Sequence, residues 1–369
     1  MKRRRDAARE GAGAVTPARD RSLVLFPGAL GDFLCFLPAL EWLAGRSAVD
    51  LLLARSDLAA LAPPEVHTGS LERYEVRRLF APGAAEEPAV RRFFEEYAAV
   101  YSWLGFHAPG FAAELARAAR GTGVFPPEPA CGRTHQIDHY LACCGAPPDP
   151  RARPRIRLSA AAIEWSDSFL ERHGCRGLPL LALAPGSGAA EKNWPAEFFR
   201  AVGRWWRRRT GGRALVVFGP AEEERGLARE LDGAMLPVRG LDLKQLAALL
   251  SRCDLYVGND SGVTHLAAAA GVETVALFGP SSPGRWAPRG VRVTIVSRGV
   301  DCSPCSRAAM KSCAQRECLT ALQPGEVIEK LEKLLEMATL TRGGWRIRVE
   351  SEAPRSLERE PREERRRTV

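Results

Sequence analysis

Residues 253–285 read CDLYVGNDSGVTHLAAAAGVETVALFGPSSPGR, an alternation of strand, polar turn, helix, strand and polar turn. Asp254 to Gly258 is a short apolar run ending in glycine, the pattern of a strand buried on both faces of a parallel sheet. Asn259-Asp260-Ser261-Gly262 supplies turn chemistry and an N-cap. The alanine-rich run Val263 to Ala270 predicts a helix that Gly271 stops. Thr274 to Phe278 is a second strand, closed by Gly279-Pro280. A helix whose first turn carries Asp260, Ser261 and Gly262 presents unpaired N–H groups and a positive dipole end, which suits a phosphate. His265 lies four residues after Ser261, on the same helix face. The plainer reading is a well-capped helix of any α/β protein with His265 in its core. On this stretch alone both readings stand.

Working outward, the same unit recurs twice. Ser22 to Phe26 reads as a strand, Pro27 to Asp32 as a glycine-bearing turn, and Phe33 to Leu43 as an apolar helix. The turn lacks G-x-G-x-x-G spacing, so no dinucleotide fingerprint is present. Gly28 and Gly31 permit close approach to the backbone. Asp32 is the one ionisable group in an apolar turn: a carboxylate favoured by the helix dipole, or a general base. Leu178 to Ala184 is another strand. It runs into Pro185 to Pro195, a polar loop with Ser187 and Lys192, ahead of a helix over Ala196 to Arg208. There Lys192 is either an exposed lysine or a point charge for a phosphate.

Further strands are expected at Val49–Ala54, Val100–Leu104 and Ala214–Phe218. Helices are expected at Ala89–Ala98, Phe111–Ala119, Arg133–Cys144, Ala160–His173, Glu222–Leu231, Leu243–Leu250 and Pro324–Met337. Tyr74–Leu79 fits helix or strand. His135 and His139 stand at i and i+4, a spacing that admits a metal, but no third ligand lies nearby in sequence, which favours a surface or cleft role. Pro147 to Pro154 holds four prolines in eight residues and reads as a linker. The organisation expected is a basic tail over 1–21, an α/β domain over 22–150, a second over 151–337 and a charged tail over 338–369.

The chain has 369 residues, room for two such domains, and a net charge of +9. The two ends carry +7 of that charge, which leaves the body near neutral and argues against a nucleic-acid groove. Basic ends suit either solvated tails or an anionic membrane surface. No apolar run reaches the roughly 18–20 residues of a membrane span, and no signal peptide precedes Leu23, so the protein is expected in the cytoplasm with reduced thiols.

Four segments in order resemble glycosyltransferase family 9, the bacterial lipopolysaccharide heptosyltransferases. They are PGALGDFLCFLPAL (27–40), APGSGAAEKNWP (184–195), GNDSGVTHLAAAAG (258–271) and FGPSSPGRWAP (278–288). The resemblance implies a GT-B fold, two Rossmann-like α/β domains facing each other across a cleft. The first domain would bind the acceptor and the second the nucleotide-sugar donor. It implies an inverting transferase that moves a heptose from ADP-heptose to the lipid A–inner core of lipopolysaccharide, at the cytoplasmic face of the inner membrane. It assigns the base to Asp32 and the loop beside it to Gly28 and Gly31. It assigns donor contacts to Ser187, Lys192, Asp260, Ser261, Gly262 and His265. No cofactor is implied. The loop Gly188-Ala-Ala-Glu191 is poor in phosphate-binding groups, which keeps open a GT-B transferase or epimerase using another nucleotide sugar. An epimerase calls for more carboxylates in the cleft loops than these segments hold. A non-catalytic binding protein is disfavoured by the joint presence of Asp32, Lys192, Asp260 and His265.

Cys302, Cys305, Cys313 and Cys318 form C-x2-C-x7-C-x4-C. This spacing admits a structural zinc, a disulfide or neither.

Overall fold

The computed structural model describes residues 21–219 and 235–342. The expected helix over Glu222–Leu231, the first twenty residues and the tail after 342 lie outside that range. Two parallel sheets organise the rest. The first contains β1 (Arg21–Phe26), β2 (Ala48–Leu53), β3 (His67–Ser70), β4 (Ala99–Ser102) and β5 (Thr122–Val124), in the order β3-β2-β1-β4-β5. The second contains β6 (Leu180–Ala184), β7 (Arg213–Val217), β8 (Leu236–Val238), β9 (Leu255–Asn259), β10 (Glu273–Phe278) and β11 (Val293–Ser297), in the order β11-β10-β9-β6-β7-β8. Every pairing is parallel. Strands β6 and β9 are buried along their whole length, as parallel strands covered by helices must be.

In each sheet the chain reverses its direction of winding once, between β1 and β4 and between β6 and β9. The loops at the carboxyl ends of such a switch point diverge and leave a crevice. Asp32 follows β1, Lys192 follows β6 and Asp260 follows β9, so the sequence motifs sit at the two switch points.

The sheets share one apolar core. Phe26, Phe33, Phe36 and Tyr140 on the first side are continuous with Tyr256, Leu266, Ala267 and Val272 on the second. The join is made by two helices, Leu30–Ala44 and Gly262–Ala270. A methyl group on Gly262 would lie 2.9 Å from Leu30 Cβ and 3.0 Å from the Gly31 nitrogen, so only glycine permits this approach. Gly31 is less constrained, since a Cβ there would meet Gly262 Cα at 3.6 Å.

Some boundaries differ from expectation. The first helix begins at Leu30, which places Asp32 inside its first turn rather than in the loop. The helix after Arg133 begins at Gln136, with His135 as its N-cap and the His139 N–H bonded to the His135 carbonyl at 3.0 Å. Tyr74–Arg78 is helical, and the short edge strands β3, β5, β8 and β11 were not expected. The last helix, Pro324–Arg342, buries Val327, Leu331 and Leu335 in the second domain's core, and Trp205 Nε1 donates to Glu332. Through these residues it packs on the second domain.

Candidate active site

Asp32 occupies the third position of its helix, and its carboxylate accepts the Ala29 N–H at 3.1 Å. Ala29, the N-cap, has no side-chain acceptor, so Asp32 is the polar group that finishes this helix start. Burial pushes its pKa above 3.8; the Ala29 hydrogen bond pulls it down, Glu128 pushes it up and Lys192 pulls it down. A carboxylate with raised proton affinity at a switch point has the properties of a general base. Gly28 is required beside it, since a Cβ there would meet the Phe26 ring at 2.6 Å and Asp32 Cβ at 2.7 Å.

On the second domain, Lys192 sits at the end of a short 3-10 turn, Ala190–Lys192, and its Nζ donates to Asp260 Oδ2 at 2.7 Å. Ser281, from the loop after β10, donates to the same oxygen at 2.5 Å. Asp260 is 7% exposed, and these two donors compensate its buried charge. Lys192 keeps about a quarter of its side chain open, 27%, which leaves room for an anionic ligand to take over its ammonium. Ser187 is buried, with its hydroxyl 2.6 Å from the Ala189 carbonyl oxygen and 2.7 Å from Asn193 Oδ1. In this arrangement it braces the loop.

The helix start at Ser261 is fully supported. Ser261 Oγ accepts the Thr264 N–H, and the Thr264 hydroxyl donates to the Asn259 carbonyl at 2.5 Å while accepting from Tyr256. Asn259 Nδ2 donates to Pro185 O at 2.7 Å, and its Oδ1 accepts from Trp194 N at 2.9 Å. These bonds tie the Asp260 turn to the Lys192 loop. Gly262 is the contact with the other domain. His265 is 3% exposed, with Nδ1 3.8 Å from Cys35 Sγ of the first domain's helix. Burial lowers its pKa to about 4, so the ring is neutral at physiological pH and acts as interdomain packing.

His135 accepts the Ile137 N–H on Nδ1 and donates from Nε2 to the Ala287 carbonyl at 2.9 Å, joining the two domains. His139 Nε2 donates to Pro126 O at 2.8 Å. Neither ring is arranged as a metal ligand. The four cysteines lie near one another: burial raises the pKa of the Cys318 thiol, and Cys305, Cys302 and Cys313 push it further up. Cys302 and Cys313 are exposed, Cys305 is half-buried, Cys318 is buried, and all are free thiols. Among the described residues no three His, Cys, Asp or Glu side chains form a group that could hold a metal. The segment folds over the loops of the second domain: Ser303 Oγ donates to Gly279 O at 2.6 Å and Arg316 Nη1 to Ala190 O at 3.2 Å.

Sequence reasoning missed the roles of Ser281 and Asn259, which depend on pairings across loops far apart in the chain, and that of Thr264, which bonds within its own turn. It also missed two interdomain pairs, Arg285–Glu128 and the bidentate Arg289–Asp138 at 2.7 and 2.6 Å. Their charges are visible in the sequence; their meeting is not.

Residues 135–314 match the model of glycosyltransferase family 9 (heptosyltransferase). Among curated relatives, lipooligosaccharide heptosyltransferase 2 of Campylobacter jejuni is 30% identical over 190 residues, covering 48% of this chain and 57% of that protein. The chain spans about half the length of the curated relatives it matches. Two solved structures show the fold. The family 9 glycosyl transferase of Veillonella parvula superposes with a TM-score of 0.66 at 21% identity, covering 86% of this chain and 97% of that one. The E. coli ADP-heptose lps heptosyltransferase II does so with a TM-score of 0.63 at 19% identity, covering 86% and 99%. The architecture is GT-B. Among the described residues no helix is long and apolar enough to cross a membrane.

Proposed function

We propose that this chain is an inverting glycosyltransferase that moves a heptose from ADP-heptose to the lipid A–inner core of lipopolysaccharide. One observation carries the reading: a carboxylate of raised proton affinity, Asp32, starts a helix at one switch point, opposite the Lys192–Asp260–Ser281 cluster at the other. Asp32 takes the proton of the acceptor hydroxyl as its oxygen bonds to the anomeric carbon, and the bond from that carbon to the diphosphate breaks with its electron pair. Lys192 turns from Asp260 to the departing diphosphate, and the first N–H groups of the Gly262–Ala270 helix face the developing charge. No cofactor enters this scheme. The acceptor is a lipid-linked sugar, which places the enzyme at the cytoplasmic face of the inner membrane, with the basic chain ends drawn to anionic lipid.

The test is ADP release from ADP-heptose with heptose-deficient lipopolysaccharide as acceptor. The wild-type protein is expected to release ADP only when the acceptor is present, and Asp32→Ala to lose that activity. Equal rates for the two proteins overturn the reading. A panel of GDP- and UDP-sugars then tests the donor, because Ser187 is engaged within its own loop and the run Gly188–Glu191 offers few other phosphate contacts.

A further inference from the structure

The loop that carries Lys192 has few anchors of its own. Gly188, Ala189 and Ala190 bring no polar side chain. The turn Ala190–Lys192 is closed by the Lys192 N–H on Ala189 O at 3.0 Å and the Asn193 N–H on Ala190 O at 3.1 Å. Further support comes from the segment 301–322, far along the chain. Arg316 Nη1 donates to Ala190 O at 3.2 Å, the same carbonyl that closes the turn, and Trp194 Nε1 donates to Leu322 O at 2.8 Å. This segment also holds the loop after β10. Ser303 Oγ donates to Gly279 O at 2.6 Å and the Cys305 N–H to Pro280 O at 2.8 Å. Leu319 packs so closely on Gly279 that a Cβ there would meet its Cγ at 2.5 Å. The two loops strapped in this way are the ones that deliver Lys192 and Ser281 to Asp260.

Arg316 itself stands in a conformation that side chains disfavour. Its φ of 46° and ψ of 42° are left-handed, and among the described residues no other non-glycine has a positive φ. Its backbone is engaged there: the N–H donates to Cys313 Sγ at 3.3 Å, and the carbonyl accepts from the N–H groups of Leu319 at 2.8 Å and Thr320 at 3.0 Å. Glycine would make the same turn without strain. What glycine lacks is the guanidinium, and that group is the one that reaches the lysine turn.

We infer that Arg316 is a positioning residue for Lys192: it pins the Ala190 carbonyl, so that the turn keeps its place when the lysine ammonium leaves Asp260 for a diphosphate. The inference rests on the proposed role of Lys192 at the diphosphate. A lysine carries its charge on a long flexible stem, and its aim depends on how firmly the backbone beneath it is held. The neighbouring residues 188–190 hold nothing with side chains, so the arginine of the later segment supplies the missing anchor. Asn193 N–H and Arg316 Nη1 bond the one carbonyl together, which restrains the turn at its first residue. The strained backbone at Arg316 is the cost of aiming the guanidinium at that point.

The test is ADP binding, followed by titration calorimetry on the full-length protein without acceptor. Arg316→Gly removes the guanidinium and relieves the left-handed strain in one change, so its effects on binding and on the fold carry opposite signs. The thermal midpoint is expected to hold or rise. ADP affinity is expected to fall about tenfold, the scale of one hydrogen bond from a charged donor. Lys192→Ala should also lose affinity, and adding Arg316→Gly to it should change nothing further, because the arginine acts through the lysine. Unchanged affinity in Arg316→Gly overturns the inference, and so does an equal further loss in the Lys192→Ala background. A lower thermal midpoint in Arg316→Gly counts against it as well, since the arginine would then serve the fold. Absence of ADP binding by the wild type is a separate result: it removes the proposed role of Lys192 itself.

Discussion

The two helices that meet between the domains begin in opposite ways. The helix Gly262–Ala270 is capped by Ser261, and Thr264 is bonded to Ser261, Asn259 and Tyr256. The helix Leu30–Ala44 has an alanine at its N-cap, and the one polar side chain of its first turn, Asp32, is half-buried with its proton affinity raised. The first start is satisfied from within; the second keeps its charged group available. The settled start belongs to the second domain and the one with an available charge to the first.

The largest expected effect breaks the first domain's helix start. Asp32→Asn should lower transfer by about 10²–10⁴-fold. Because burial raises the folded pKa of Asp32, the native state favours the proton. Its contribution to stability is present below pH 3.8 and is lost as pH rises through the folded value. Asn mimics the protonated form, so the same variant should resist urea better than the wild type at pH 7. An unchanged rate, or a lower urea midpoint, would break the contrast.

His265 tests the second domain. Its folded pKa of about 4 lies below the usual 6.5, so its contribution is present above pH 6.5 and is lost as pH falls toward 4. That window is worth about 3 kcal/mol of unfolding free energy at about 1.4 kcal/mol per unit. Urea denaturation across pH 7 to 4 should show a shallower loss in His265→Gln; parallel curves would count against a neutral buried ring.

Next come the glycines. Gly262→Ala forces a methyl against Leu30 and the Gly31 backbone and should destabilise by about 1–3 kcal/mol. Gly31→Ala finds only ordinary contacts and should stay within about 1 kcal/mol in the same denaturation assay. The smallest effects reverse the caps. Ser261→Ala should lose about 1 kcal/mol, and Ala29→Ser should gain a similar amount or less, read as opposite shifts in the thermal midpoint.

The repeated strand-turn-helix units were legible because buried parallel strands are apolar along their whole length and their loops begin with glycine, aspartate or serine. That pattern marks the loops at 27–32, 184–195 and 259–262, which hold Asp32, Lys192 and Asp260. It placed Asp32 in a turn because Leu30 and Gly31 carry no cap signal. Glu128, Ser281 and Arg285 were beyond reach for a different reason: each matters through a partner more than twenty residues away, and spacing along a chain carries no record of such a meeting.

The apolar cluster that runs from Phe26 and Phe36 through Leu266 to Val272 also fixes what the molecule is as a thermodynamic object. Two sheets that share one interior should melt together, in a single calorimetric transition whose enthalpy matches that of one cooperative unit. A chain cut at the proline-rich linker would leave each fragment with leucines and aromatics open to water. The shared cluster thus couples the two sheets in folding, although each also has an apolar core of its own.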